Sequence, residues 1–505
     1  MKRTSLWLQS TELPLFPTLD KDIETDVLVV GGGITGITTA FLLAREGVRT
    51  VLIEADQLAS GTTGRTTAKI TAQHGLIYNK LIAHVGAEQT AVYYQANRDA
   101  MRRIEQLIKE HKIRCAFQKK PAVLYATAPR DARLLEKEMA AYDQLGVPGY
   151  LQNDISLPLS VINALVMPDQ AQFHPLAYLR FLIEQLVESG VPIYEHTRAV
   201  SIESAASPAV RTDRGRRIRA RNVLICSHFP FYDPRFYFAR MVPEQSYLIA
   251  CRTGSELPGM YLSAGEPKRS LRDLNLSGKR YVLVGGENHK TGRGEDAAVH
   301  FQRLIGFANA VLGENSVVAR WSAQDYTTLD DVPYIGHVSA NEPHIYLAAG
   351  FRKWGMSTAM LAAELLTDAV AGRENPARDL FSPSRFEADP MIRQFLIENS
   401  KIAGHFIKGK IDKGSRSIAD LGNSQGAIVS LDGKRAAVYR DADGTLTILD
   451  ATCPHLGCGV NWNQGERTWD CPCHGSRFRA TGEVIAGPAQ QALRRIYSEK
   501  KQTPQ

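Results

Sequence analysis

Two short boxes near the end of the chain, Cys453-Pro-His455-Leu-Gly-Cys458 and Cys471-Pro-Cys473-His474-Gly-Ser476, constrain it more than any other feature, because each couples a thiolate donor to an imidazole donor. Such a set of two cysteines and two histidines suits a pair of irons, with Cys453 and Cys471 on one and His455 and His474 on the other. The imidazoles raise the reduction potential above that of an all-cysteine cluster. Zinc is the competing reading, but zinc modules favour wider spacing within each ligand pair. A chain with this centre moves electrons.

These boxes resemble the Rieske 2Fe-2S family, and the resemblance covers roughly residues 405 to 500, with a small all-β domain expected over 414–500. Cys458 and Cys473 are not needed as ligands. The resemblance implies a disulfide between them that ties the two loops together; in a reducing cytosol two free thiols are the alternative. Ser476 stands where the family places a hydroxyl that hydrogen-bonds a cluster sulfide and stabilises the reduced state. Phe478 stands where high-potential members carry a tyrosine, and that lost donor places the expected potential below the respiratory-complex type and above plant-type ferredoxins.

The other end carries a second redox signal. Asp26-Val-Leu-Val-Val30 reads as a buried parallel strand running into Gly31-Gly-Gly33-Ile-Thr35-Gly36 and a helical stretch, Ile37 to Glu46. Gly31 allows the tight turn, Gly33 lets backbone approach a pyrophosphate, Thr35 lies at the helix start, and Gly36 lets helix and strand pack closely. The phosphates are then expected at the positive helix N-terminus. A second strand, Thr50 to Ile53, delivers Glu54 to accept a ribose hydroxyl.

Later segments distinguish FAD from NAD. The stretch from Ala59 to Ala68, containing Gly61, Thr62, Gly64 and Arg65, looks like the loop with which amine-oxidising flavoproteins wrap the flavin. Gln170 to Pro175 and then Val191 to Val200 follow the order of the adenine-contacting region, and Asp331 to Gly336 with Leu347 to Met356 resemble the closing segment, where Gly350, Gly355 and Met356 approach the ring. Residues 22–372 thus resemble the D-amino-acid oxidase and glycine oxidase superfamily. The resemblance implies an α/β Rossmann-like FAD-binding domain (about 22–80, 160–235 and 321–372) interleaved with an α+β substrate domain (about 81–159 and 236–320). Arg65 falls near where some relatives bear a covalently flavinylated histidine, which implies noncovalent FAD.

A second nucleotide fingerprint is not found. Val282-Leu-Val-Gly285-Gly286-Glu-Asn-His289 lacks the spacing, so electrons are expected to enter the flavin from an organic substrate and leave through the Rieske domain. Amino-acid-oxidising relatives place a carboxylate-clamping arginine where this chain carries Asp325, which turns the expectation from an amino acid toward a cationic or hydroxyl-bearing substrate; an ordinary salt bridge from Asp325 to Arg352 or Lys353 is the alternative. His289, Lys353 and Trp354 are further site candidates. His174 and His228 read as satisfied core groups, and Cys115, Cys226 and Cys251 as buried small hydrophobes.

The 505 residues exceed one core, so the flavoprotein body and the Rieske module are joined by a charged, proline-bearing tether over 373–413, with a short docking helix expected over Met391–Ile397. The formal charge of +7 is far from a nucleic-acid signature. With no secretory signal and no segment long enough to span a bilayer, the expectation is a cytoplasmic protein. The expected activity is a flavin-dependent dehydrogenase. It would oxidise a small organic substrate, an amine among the candidates, and pass electrons from FAD through the cluster to an acceptor protein or quinone. The alternative is a relay that joins a protein carrier to a flavin-linked acceptor without small-molecule turnover. A Rieske oxygenase does not fit, since no histidine follows His474 to build a mononuclear iron site.

Overall fold

In the computed structural model, residues 3–385, 394–395, 397–399 and 417–497 are described. The tether and the docking helix expected over Met391–Ile397 fall largely outside them.

The apolar run at the start forms strand β1 (Ile23–Val30), followed by helix α1 (Ile34–Arg45) and strand β2 (Thr50–Ile53). The helix begins three residues earlier than its apolar pattern suggested. Its first turn is set by Gly33 in extended backbone as N-cap rather than by a capping side chain. Helix α2 (Pro175–Glu188) packs on α1 and returns the chain to Ile193–Tyr194, beside β2. Strand β3 (Arg217–Ile225) then pairs in parallel with β1, and Ile345–Ala349 pairs in parallel with the end of β3. Helix α3 (Gly355–Ala371) packs against α1 on the same face. The result is a mixed sheet with parallel central strands and antiparallel additions, and the strand segments buried on both faces, Val27–Val30, Val51–Ile53 and Val223–Ile225, are the ones that read as continuous apolar runs rather than alternations.

A second sheet of eight strands is mostly antiparallel and built around three long ones, β4 (Met241–Arg252), β5 (Lys279–Lys290) and β6 (Ser316–Thr328). This sheet also takes in Ala122–Ala126 and Asn163–Met167, which pair antiparallel to each other. The domain edges expected at 160 and 321 therefore fall inside it. Asn163–Met167 is fully buried against its partner strand, and β6 is one continuous strand from Ser316 to Thr328, so pairing rather than composition sets both edges. Gly285-Gly286, the rejected second fingerprint, lies within β5. There the positive φ of Gly286 (+147°) permits a close pass of Lys268 carbonyl oxygen, 1.9 Å from where a Cβ would stand.

The C-terminal module is all-β, made of two four-stranded antiparallel sheets over Gln425–Tyr497, and its core holds Trp469, Phe478 and the cysteines of both boxes.

Candidate functional site

The first βα turn is built from close approaches that only glycine permits. A Cβ on Gly31 would stand 2.6 Å from the Cys226 carbonyl oxygen, and one on Gly36 would stand 1.9 Å from the Gly31 carbonyl oxygen. Gly31, Gly33 and Thr35 face a cavity of about 1510 Å³, whereas Gly36 packs helix against strand behind it. Glu54 ends β2 at the cavity wall; its carboxylate accepts the Gly32 amide at 2.7 Å and the Asp56 amide at 2.9 Å. Burial pushes its carboxyl above the ordinary range, opposed by those two amides. The cavity continues past Gly61, Thr62 and Arg65 to Gly350, Gly355 and Met356. Gly64 is not on the wall but turned inward, where a Cβ would meet the Ala59 carbonyl oxygen at 2.4 Å. Val200 is likewise off the wall, and its neighbours Arg198 and Ala199 line the cavity in its place.

This long cleft, glycine-cradled at a helix N-terminus and bounded by an acid at the end of β2, fits FAD, with Gly31, Gly33, Thr35 and Glu54 at the nucleotide end and Thr62, Gly350, Gly355 and Met356 toward the ring. When bound there, FAD accepts two electrons from an oxidisable carbon.

Beyond the ring end the second sheet supplies a chamber wall. Asp325 is buried and accepts the backbone N–H groups of Tyr326 (2.8 Å) and Lys353 (2.7 Å), so it makes neither of the side-chain salt bridges considered above. Burial raises its carboxyl above the ordinary range. The ammonium of Lys353 instead pairs with Glu244 at 2.9 Å, while Arg352 pairs with Asp331 at 3.0 Å. Burial pushes the Glu244 carboxyl up, but Lys353, with Arg352 and Lys290, outweighs it and holds the group below its usual value. Arg352 and Lys353 both lie in left-handed backbone (φ +51° and +70°), which turns consecutive side chains onto different acids. Trp354 stacks on His74 at 5.0 Å. His289 is not on the cavity wall; its ring accepts or donates to Tyr247 Oη at 2.9 Å and stacks on His300.

Lys69 and Gln324 went unsuspected, and Glu244 and Phe238 likewise. Lys69 lines the chamber and donates to the Tyr261 carbonyl and to Ser270 Oγ, both at 2.8 Å, without a carboxylate partner among the described residues. Burial, aided by Arg272, brings its ammonium down to about 7. His228 also reaches the cavity, with φ +66°. Glu244 and Gln324 sit on long strands, Lys69 on a two-residue strand and Phe238 in a short helix, and none of these placements names a chemistry.

The cluster boxes form two matched loops. In each, the second glycine-side amide returns to the first cysteine, Gly457 to the Cys453 carbonyl at 3.0 Å and Gly475 to the Cys471 carbonyl at 3.1 Å. Each is closed by a further bond, Cys453 N–H to the Cys458 carbonyl at 2.7 Å and Cys471 N–H to the Ser476 carbonyl at 2.8 Å. Gly457 (φ +77°) and Gly475 (φ +74°) make both turns possible. The buried thiols of Cys453 and Cys471 are hydrogen-bond neighbours, and that contact lowers Cys453 while it raises Cys471. The rings of His455 and His474 stand 5.1 Å apart at 87°, and burial lowers both imidazoles to about 4, leaving them neutral as ligation requires. Cys458 and Cys473 are joined by a disulfide across the two loops. Ser476 Oγ accepts the Ala489 amide at 3.1 Å and faces Cys453, and Phe478 is fully buried behind. This donor set fits a 2Fe-2S centre, which carries one electron at a time.

The module docks on the flavoprotein body by its cluster end. The Phe238 ring lies 4.9 Å from both imidazole rings, edge to face, and Arg293 Nε donates to the Pro472 carbonyl at 3.0 Å. Module residues Arg477, Val484 and Gln490 complete the cavity wall near the nucleotide end, where Arg479 pairs with Asp56 at 2.9 Å.

Comparison with known proteins agrees with this geometry. The family model for FAD dependent oxidoreductases of the DAO type matches residues 26–369, and that for the Rieske [2Fe-2S] domain matches residues 416–497. The chain is 44% identical over 492 residues to a putative Rieske 2Fe-2S iron-sulfur protein, YhfW, of Bacillus subtilis, covering 97% of each. Among solved structures it resembles glycine oxidase from Geobacillus kaustophilus (TM-score 0.62, 21% identity, 72% of this chain and 99% of that one). It also resembles L-proline dehydrogenase from P. horikoshii (TM-score 0.61, 18% identity, 73% and 98%). A DAO-like fold ending in an all-β module with two Cys-His loops is thus what the chain builds, and it belongs to the DAO family of FAD-dependent oxidoreductases, with a C-terminal Rieske [2Fe-2S] domain.

Proposed function

We propose that this protein is a dehydrogenase that oxidises a small amine at FAD and passes the two electrons, one at a time, through the Rieske cluster to an outside one-electron acceptor. The observation that carries this reading is the docking of the cluster's histidine edge beside the flavin cavity, against Phe238 and through the bond from Gln324, a residue of the cavity wall, to the Gly475 carbonyl. A cluster held there drains the flavin within one chain rather than by collision.

The chain's own residues bind and orient the substrate. Glu244 and Asp325 give the chamber an acidic wall that suits a cationic amine, and Lys353 keeps Glu244 ionised. Arg352, whose Nη1 is buried without a partner among the described residues, offers a donor to an acceptor group on the substrate. Lys69, with its ammonium near 7, takes a proton from the incoming amine so that the amine is neutral when its neighbouring carbon is oxidised. The glycine oxidase and L-proline dehydrogenase whose folds it shares act, by their names, on amino acids, which supports the amine class. FAD is held noncovalently, with Arg65, whose Nε donates to the Ser60 carbonyl at 3.4 Å, on the cavity wall.

The test is anaerobic mixing of the holoprotein with a panel of amines and amino acids. Bleaching of the flavin band that precedes reduction of the cluster supports a dehydrogenase. If only a protein reductant charges the cofactors, the protein is a relay, and the reading fails.

A further inference from the structure

We propose that Gln324 is the positioning residue through which electrons pass from the flavin site to the cluster, a proposal that rests on the flavin-to-cluster direction given above. Gln324 is buried on β6 and lines the flavin cavity. Its main-chain carbonyl accepts the Thr62 hydroxyl at 3.0 Å and sits 3.0 Å from His228 Nε2, both on the cavity wall. Its side chain points the other way, and Nε2 donates to the Gly475 carbonyl at 2.9 Å and to Tyr326 Oη at 2.7 Å. One residue thus joins the flavin-side loop to the peptide that follows cluster ligand His474.

The orientation of the amide is fixed by chemistry. A carbonyl oxygen can only accept, so the nitrogen of Gln324, not its oxygen, must face Gly475. Its Oε1 is left buried without a partner among the described residues, a cost that packing alone would avoid by an apolar side chain of the same length. Gly475 is required on the other side. With φ +74°, a Cβ there would stand 2.4 Å from Pro243 Cβ and 3.0 Å from Gln324 Nε2. The glycine brings the cluster loop's backbone up to the amide. Electronic coupling falls off less steeply through covalent and hydrogen bonds than across van der Waals gaps, so the route Thr62, Gln324, Gly475, His474 is a continuous conductor between cavity and cluster. In each transfer the oxidised iron pair, both ferric, gains one electron and becomes ferric and ferrous. The two-electron-reduced flavin loses that electron, and the accompanying proton goes to water. The cluster then gives the electron to the one-electron acceptor.

The test uses the full-length holoprotein, reduced by a light flash with a deazaflavin donor, and follows intramolecular equilibration between the flavin band and the cluster's paramagnetic signal. Gln324→Leu removes the donor, and Gln324→Met removes it while keeping the length of the side chain. The expected result is transfer slower by about tenfold to 10²-fold in both, the upper figure being the cost of misplacing a reacting group by about 1 Å, with the cluster's reduction potential and paramagnetic spectrum as in the native protein. Native-like transfer in either variant holding both cofactors overturns the proposal. So does a shifted cluster spectrum, or loss of the cluster from both variants, since Gln324 would then be part of the cluster's fold rather than of the route. If the native protein itself shows no flavin-to-cluster transfer, the proposed function fails, and that outcome is distinct from a failure of Gln324 alone.

Discussion

At the scale of the residue, the chemistry rests on a few positions where side-chain identity is dictated by contact with backbone. Gly36 is the clearest case, since a Cβ would overlap the Gly31 carbonyl oxygen at 1.9 Å and the clash can be relieved only by moving the turn that cradles the pyrophosphate. Gly36→Ala is therefore expected to weaken FAD binding by about 1–3 kcal/mol, roughly fivefold to 150-fold in Kd; fluorescence titration of the apoprotein with FAD checks this. Gly31, Gly33, Glu54 and the four cluster ligands were legible in the sequence because their spacing is tied to one chemistry. Asp325 was legible only as a departure from a pattern. What it does depends on the left-handed backbone at Lys353, which presents an amide to Asp325 and an ammonium to Glu244, and no sequence motif encodes that split.

At the scale of the element, α2 shows a histidine doing what its type does not announce. His174 caps the helix, its Nδ1 accepting the Ala177 amide at 3.2 Å while Nε2 meets Ser10 Oγ at 3.0 Å. Its role in the core was expected; the cap was not, because histidine is not among the favoured capping residues. Burial, with Arg272 nearby, holds this imidazole down at about 4. An unfolded histidine titrates near ~6.5, so the unfolded chain takes up the proton first, and stability that is fully present above pH ~6.5 falls as the pH drops toward 4. His174→Asn keeps a capping oxygen without titrating. Its thermal midpoint starts lower for loss of the ring packed on Trp7, but it should decline less between pH 6.5 and 4 than the native midpoint; calorimetry across that range decides. The long strands β4 to β6 were harder to delimit, since a strand that crosses from chamber wall to domain interface changes neighbours without changing its alternation.

At the scale of the whole molecule, the decisive feature is that the cluster end of the small module is pressed into the flavoprotein body. Three glycines permit the fit, Gly475 against Pro243, Gly465 against Ala297, and Gly292, whose Cβ would stand 2.7 Å from the Pro472 nitrogen. Gly292 lies on the body, with its carbonyl accepting Asn461 Nδ2 at 3.0 Å, so Gly292→Ala disturbs docking without replacing a residue of either cluster loop. The expected outcome is a protein that retains its cluster spectrum but has a larger radius of gyration by small-angle scattering and slower flavin-to-cluster transfer. An unchanged radius would show that the interface tolerates the methyl group.

The sequence by itself determined both cofactor chemistries, because a nucleotide turn and a Cys-His iron site each demand fixed residue types at fixed local spacing, and local spacing is written in the chain. Only the tertiary structure decided how the two are joined. Gln324, Phe238, Pro243 and Gly292 lie far from both motifs in sequence, and their contacts exist because strand pairing and a docked interface bring them within a few ångströms of the cluster loops. Such long-range contacts depend on the packing of the whole chain, so no single segment records them.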